Sequence, residues 1–294
     1  MALRRSAHII FNPMAGARKR DLLERVIKRL NQAGVEITLD ETKGPGHATE
    51  LAAAASRHGI ADVIVAAGGD GTINEVARGL LGQSTPLGII PLGTANVLAI
   101  ELGLRMREGD IADMLLSGPA QLIGTGLVDD RIFLLMVGIG FDGEVVHDID
   151  ARMKRVFGKA AFVWSGLKLW FAGPGREIVL RVDGQEKRCA WAVVSNARHF
   201  AGPFVLAPDA HIEDPGLTLT LFKSGSRMAF ARYFAALGLG RVHRLKDVEI
   251  MHPRRIEALS PEGLAVEVDG DARGALPQTI SMGVHFLRMV VPSR

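Results

Sequence analysis

The chain of 294 residues carries a single cysteine, Cys189. No disulfide can form within it, and such usage fits a reducing compartment. Cys189 stands beside Ala190 and Trp191 in an apolar run. No activating partner lies near it in sequence, so it reads as a core residue rather than a nucleophile. Long apolar runs are also missing. Leu87 to Leu104 is nearly uncharged, but Gly88, Pro91, Gly93, Asn96 and Glu101 interrupt it, and no membrane span is expected there. The N-terminal stretch MALRRSAHIIFNP has only four apolar residues before Asn12-Pro13, too few for a signal-peptide core. A cytoplasmic location is therefore expected. There is no internal repeat and no low-complexity segment. No G-x-x-x-x-G-K-[ST] motif occurs, which excludes a P-loop site. No H-R-D paired with D-F-G occurs, which excludes the protein-kinase arrangement. The formal net charge is +3 with nine histidines uncounted, too mild to imply a nucleic-acid partner.

What is present suffices for a substantial core. Hydrophobic residues make up 48% and charged residues 23%, a balance foreign to disorder. The length accommodates one large or two ordinary domains. The first part alternates strand and helix: a strand at His8–Phe11, a loop at Pro13–Arg20, a helix from Asp21 to Ala33, a strand at Val35–Leu39, a helix at Ala48–Arg57, a strand from Ala61, a helix from Thr72, a strand at Leu87–Ile90 and a helix after Asn96. This order implies a parallel sheet with helices on both faces. After about Gly118 helices become rare. Leu122–Val128, Arg131–Val137, Glu177–Val182, Arg188–Ser195, Leu217–Phe222 and further short runs to Phe286–Val291 read as strands, separated by turns such as Val182-Asp183-Gly184 and Val268-Asp269-Gly270. The expectation is α/β plus all-β, with a nucleotide domain over 1–122 and an antiparallel β-sandwich over 123–294.

The richest stretch is ADVIVAAGGDGTINEVARGLL, residues 61–81. A buried strand runs into Gly68-Gly69-Asp70-Gly71-Thr72, and Ile73, Val76, Ala77 and Leu80 then recur at helical spacing. Glycines at a strand-to-helix turn let a polyphosphate approach the backbone, and the helix N-terminus favours an anion. Asp70 would repel bare phosphate, so it makes sense beside a divalent cation that bridges the two. In a parallel sheet ligands bind at the carboxyl ends of strands. The loops Asn12–Gly16, Gly68–Thr72 and Gly93–Asn96 follow three strands and Thr42 a fourth, so they can converge on one ligand.

These segments resemble the successive motifs of the diacylglycerol kinase catalytic-domain family, which includes bacterial soluble lipid kinases and the sphingosine and ceramide kinases. The likeness rests on Asn12-Pro13 with Gly16, Thr42 with Gly46-His47-Ala48, Gly68 to Glu75, and Pro91-Leu92-Gly93-Thr94-Ala95-Asn96. It continues through Val137 to Asp142, Asn196 with Gly202 and Pro208-Asp209-Ala210, Asp214-Pro215-Gly216-Leu217, and Val268-Asp269-Gly270-Asp271. The resemblance implies an ATP-dependent kinase whose second domain holds the lipid and whose last strand returns towards the first domain. It implies ATP contacts by Asn12, Pro13, Met14, Ala15, Gly16, Thr42, Gly68, Gly69, Asp70, Gly71, Thr72, Ile73, Asn74 and Thr94, with Asp70 acting through Mg²⁺. Asp271 matches the catalytic acid, usually Glu in that motif and here one methylene shorter. Asp214, with carbonyls near His211 and Gly216, matches a structural Mg²⁺ site of some members; an Asp-Pro-Gly turn is the other reading.

A phosphoryl transfer needs positioned phosphates, a neutralising cation and an acceptor for the hydroxyl proton, and Asp70 and Asp271 can supply the last two. Two other readings stay open: an NAD kinase, since GGDGT occurs there too, and a non-catalytic lipid-binding protein of the same fold. A lipid kinase without a spanning helix would bind membranes reversibly. The basic, aromatic segment Ala151–Phe171 is either that contact or a helix packed on the sandwich. Ser226–Leu237 reads as a second helix, with core packing as its default role.

Overall fold

The structure, a computed structural model, describes residues 3–16, 20–141, 176–214 and 216–293. The chain forms two compact units, Met1–Gly124 with Val284–Arg294, and Thr125–Gly283.

The first unit is built on strands β1 (Ser6–Phe11), β2 (Glu36–Glu41), β3 (Val63–Gly68), β4 (Leu87–Pro91) and β5 (Ala120–Ile123), joined by a late strand, β20 (Leu287–Val290). They form one six-stranded sheet in the order β2-β1-β3-β4-β20-β5. All neighbours are parallel except β20 and β5. Every residue of β3 and β4 is buried, as befits central parallel strands covered on both faces. The helices are α1 (Pro13–Gly16), α2 (Arg20–Gln32), α3 (His47–His58), α4 (Asp70–Gly79), α5 (Val97–Glu101) and α6 (Glu108–Ser117). In α2, Leu23, Val26 and Leu30 turn one face to the core, the apolar stripe of an amphipathic helix. Where a loop was expected after Asn12, Pro13–Gly16 makes one helical turn, opened by a proline whose fixed φ suits that position. The helix α6 was not anticipated; Gly103, at φ 68, ends the preceding segment and separates it from α5.

The second unit is an antiparallel sandwich. One sheet runs β10-β9-β16-β19-β6-β7 and the other β15-β14-β11-β8-β17-β18. The first sheet contains β6 (Gly126–Val128), β7 (Arg131–Phe133), β9 (Ile178–Val182), β10 (Gln185–Cys189), β16 (Arg255–Ser260) and β19 (Gln278–Met282). The second contains β8 (Met136–Ile139), β11 (Trp191–Ser195), β14 (Thr218–Phe222), β15 (Val248–Met251), β17 (Ala265–Val268) and β18 (Asp271–Ala275). A small ribbon, β12 (His199–Phe200) with β13 (Phe204–Val205), and the helix α7 (Arg227–Gly238) complete the unit. Ser226 caps α7, its hydroxyl accepting from the Ala229 N–H at 3.2 Å, the usual serine N-cap. Phe133, Ile178, Leu180, Ile256 and Ile280 from one sheet meet Val137, Ile139, Val194, Leu219 and Val266 from the other in a common core.

Three segments expected as single strands are each two strands. Leu122–Val128 divides at Gly124-Thr125 between β5 and β6, at the unit boundary. Arg131–Val137 divides at Leu134-Leu135 between β7 and β8, and Arg188–Ser195 at Ala190 between β10 and β11, each pair lying in different sheets. The cause is burial directly beside each corner: Ile123 and Gly126, Phe133 and Met136, and Cys189 and Trp191 are buried on the two sides, so periodicity does not mark the crossing. Ala151–Phe171 lies outside the described residues.

Candidate active site

The sheet order places β1 and β3 side by side with β2 and β4 outward of them, the switch point where open α/β sheets bind ligands. At the carboxyl end of β1, the Asn12 N–H donates to the Ala67 carbonyl at 3.0 Å. Its side-chain amide donates to the Thr72 hydroxyl, also at 3.0 Å, and its carboxamide oxygen accepts from the Met14 N–H. Asn12 thus fixes the turn Pro13–Gly16 against the start of α4. Thr42 follows β2, its N–H bonded to the Phe11 carbonyl at 2.8 Å. The loops after β1, β2 and β3 are therefore tied to one another by hydrogen bonds at this end of the sheet.

The loop after β4 joins them by close approach of two glycines. A Cβ on Gly93 would stand 2.6 Å from the Gly69 Cα and 2.9 Å from the Asn96 side-chain oxygen. Only glycine fits there, and it lets the loops after β3 and β4 meet backbone to backbone. Asn96 is buried in a left-handed conformation, φ 50, and donates to the Gly93 carbonyl at 2.9 Å. The loop Gly93–Asn96 is one of those expected to converge on a ligand, but of its residues the resemblance implies an ATP contact for Thr94 alone; the strand-end Gly-Thr-Ala-Asn is the signal for Gly93 and Asn96. Thr94 is exposed in this turn, whereas Thr72 and Ile73 are buried at the start of α4.

Asp70 opens α4 and ties the two glycine loops together. One carboxylate oxygen accepts from the Val97 N–H and the other from the Leu98 N–H, both at 3.1 Å. It thereby caps α5, whose first N–H groups have no helical partner. Burial pushes its carboxyl up from the ordinary value, against the pull of the Leu98 and Val97 N–H groups. A cation beside it would favour the ionised form. The N–H groups of Asp70 and Asn96 pull its carboxyl the same way as those of Leu98 and Val97. Among the described residues no group of three or more His, Cys, Asp or Glu side chains gathers as a metal cage. Mg²⁺ at a nucleotide needs none, since one or two carboxylates, water and substrate phosphates hold it. The residues fit such an ion.

In the second unit Asp271 is the first residue of β18, half-buried, directly after a two-residue hairpin of Asp269 (φ 50) and Gly270 (φ 87). These angles make a type I′ turn. The Asp269 carboxylate accepts from Leu134 N–H and Leu135 N–H at 2.8 Å and from Met136 N–H at 3.0 Å. The buried Glu267 carboxylate accepts from the Gly270 N–H. The turn that presents Asp271 is thus held from two sides by acids. Neither support was expected; the Asp-Gly turn was the only trace of them. His211 and Asp214 are exposed and bonded within a turn, Asp214 N–H to the His211 carbonyl at 2.9 Å, with Gly216 exposed beyond it.

A switch-point phosphate loop followed by an antiparallel sandwich defines a class of phosphotransferase fold. Comparison with known proteins narrows it. The model for the diacylglycerol kinase catalytic domain matches residues 6–128, and that described as the YegS C-terminal NAD kinase beta sandwich-like domain matches residues 135–291. A diacylglycerol kinase of Bacillus subtilis is 30% identical over 97% of this chain and 96% of its own. One of Staphylococcus aureus is 27% identical over 94% and 89%. The crystal structure of a diacylglycerol kinase from Bacillus anthracis has the same fold, with a TM-score of 0.80 at 24% identity over 98% of this chain and 97% of that one. The chain belongs to the diacylglycerol kinase family; it is a lipid kinase, a transferase of phosphoryl groups to a hydroxyl acceptor. Among the described residues no helix is long and apolar enough to cross a membrane.

Proposed function

We propose that this kinase transfers the γ-phosphate of ATP, in a Mg²⁺-dependent reaction, to the free hydroxyl of diacylglycerol or a closely related lipid in phospholipid biosynthesis. It would act in the cytoplasm and bind membranes reversibly. The observation that carries the reading is the joining of two glycine loops at the switch point, by the close approach of Gly69 and Gly93 and by the Asp70 carboxylate at the α4 N-terminus, which reaches across to α5.

On this reading the α4 N-terminus and the loops at Asn12–Gly16, Thr42, Gly68–Asn74 and Thr94 hold the nucleotide. When bound, Mg²⁺ neutralises charge on the phosphates. Asp70 orients that ion and at the same time locks the Gly93 loop through α5. Asp271 accepts the proton of the lipid hydroxyl. In a loose transition state that proton leaves late, so orientation of the carboxylate outweighs its basicity.

The test is phosphate transfer from labelled ATP with and without Mg²⁺ to a lipid extract, to dioleoylglycerol and to NAD, with products identified by mass spectrometry. A phosphatidic acid product is expected. Labelled NAD with unlabelled lipids would overturn the substrate assignment. No turnover on any acceptor would favour a binding protein.

A further inference from the structure

The second unit buries its large apolar side chains with one local exception. Among its described residues, those left exposed are Phe204 (41%), Met228 (80%), Phe234 (39%) and Leu239 (69%). Three sit on α7 or its C-cap, and the fourth lies on β13, which packs against α7. The inner side of α7 is already used: Ala229, Phe230, Tyr233, Ala236 and Leu237 are buried. Phe230 and Phe234 reach the aromatic group around Trp191, with ring centroids 6.1 and 5.9 Å from it. Met228 and Leu239, about three helical turns apart, fall on the opposite side. Met228 and Leu239 are therefore surplus to the core and share one side of one helix.

The segment that carries them has charge of one sign. From Lys223 to Lys246 the chain carries Lys223, Arg227, Arg232, Arg241, Arg244 and Lys246 and no acid. Lys223 and Arg232 pair with Glu249 and Asp247. Arg241, Arg244 and Lys246 are exposed and form no ion pair among the described residues. A helix with a solvent-facing apolar strip and basic flanks is suited to the headgroup boundary of a bilayer.

We infer that the outer face of α7, with Phe204 and the basic segment Arg241–Lys246, is the surface on which this protein docks to an anionic lipid bilayer. The inference rests on the lipid-kinase reading for its purpose, but its geometry is independent of catalysis. Met228 and Leu239 enter the acyl boundary, and the following cations meet anionic headgroups.

The test is co-sedimentation of the full chain, without nucleotide, with vesicles of phosphatidylcholine alone and of equal parts phosphatidylcholine and phosphatidylglycerol. Wild type should prefer the anionic vesicles. Met228→Gln with Leu239→Gln should weaken that binding on the order of a hundredfold, about tenfold for each large apolar side chain withdrawn. Arg241→Gln, Arg244→Gln and Lys246→Gln together should weaken it by about a hundredfold and flatten its salt dependence. Ile60→Gln, an exposed apolar residue of the first unit, should change nothing. All positions are exposed, and equal denaturation midpoints establish that each variant folds. Unaltered vesicle binding by both multiple variants would overturn the proposal. So would a dimer in sedimentation velocity that Met228→Gln with Leu239→Gln dissolves while vesicle binding persists, since the face would then join copies of the chain. Predicted binding by a wild-type protein that phosphorylates no lipid would support the surface and retire the kinase reading alone.

Discussion

The hairpin before Asp271 has a twin, and the pair offers a controlled experiment. Asp183 (φ 47) and Gly184 (φ 87) make the same turn as Asp269 and Gly270. Asp183 also braces neighbouring backbone, accepting from Arg255 N–H at 2.9 Å and Arg254 N–H at 3.1 Å. The residue after the twin is Gln185; after the other it is Asp271. At Asp269, one oxygen takes the Leu135 and Met136 N–H groups and the other takes Leu134. Asp269→Asn keeps the first oxygen and sets an amide donor against the Leu134 N–H. A buried N–H left facing a donor costs about 1–3 kcal/mol, and lost charge assistance adds about 1 more. A stability loss of about 2–4 kcal/mol is therefore expected, which a domain of ~5–15 kcal/mol survives. A carboxylate misplaced by ~1 Å loses about a hundredfold in rate, so folded Asp269→Asn should lose that much turnover at saturating ATP. Asp183→Asn, in an exposed copy of the turn, should lose some stability and no turnover. Urea denaturation and steady-state kinetics on both variants measure the two effects separately. Near-normal turnover of folded Asp269→Asn, or an equal loss in Asp183→Asn, would refute the claim that the turn positions Asp271.

Three further outcomes follow. Asp70→Asn should fold yet transfer phosphate on the order of a thousandfold more slowly, and near-normal activity would remove Asp70 from the account. Tyr233 is the only tyrosine, and burial with the Asp247 carboxylate pushes its hydroxyl up to about 12 from 10.0. Tyrosinate absorbance should therefore rise near 12 in the native protein and near 10.0 in urea; because the folded value is the higher, the associated stability is full below the unfolded value and is lost as pH rises through the folded one. Cys189 is buried, with its thiol pushed up to about 12 by desolvation, so a thiol reagent should label it only as fast as the protein unfolds, and rapid labelling of the native state would contradict its place in the core.

Much of this was legible from the chain. Val63–Gly68 reads as a strand because central parallel strands are apolar throughout, and the glycines after it could serve only a tight turn or a close ligand. A helix is legible over Ser226–Leu237; the structure places it at Arg227–Gly238 with Ser226 as its cap. The corners at Gly124, Leu134-Leu135 and Ala190 are not visible, because the residues that flank each crossing directly are buried on both sides of it. Asp70 was readable as a residue of the phosphate turn. Its bonds to Val97 and Leu98 were hidden, since a carboxylate that caps a helix 27 residues away leaves no local pattern. Asp271 is marked only by resemblance; by its own sequence it is simply the residue after an Asp-Gly turn, the place that Gln185 takes after Asp183-Gly184.

That ambiguity has a physical basis. Among the described residues four aspartates use the same device, a carboxylate accepting consecutive backbone N–H groups of a distant segment. Asp62 takes Arg5 and Ser6, Asp70 takes Val97 and Leu98, Asp183 takes Arg254 and Arg255, and Asp269 takes Leu134, Leu135 and Met136. The device stitches together strands and loops that local propensity cannot bring into register. What differs is how much water each acid keeps. At Asp62, which lies at the surface, the Arg5 N–H leads the balance and the carboxyl is held below its ordinary value. At Asp70 burial outweighs the same kind of bonds and the carboxyl is pushed up. Well-solvated anchors of this kind serve the fold. A desolvated one holds its negative charge at a cost that an arriving cation would relieve. The Asp70 anchor is therefore the one suited to answer a ligand, and because it also holds α5, whatever cation it meets is coupled through rigid backbone to the loop at Gly93.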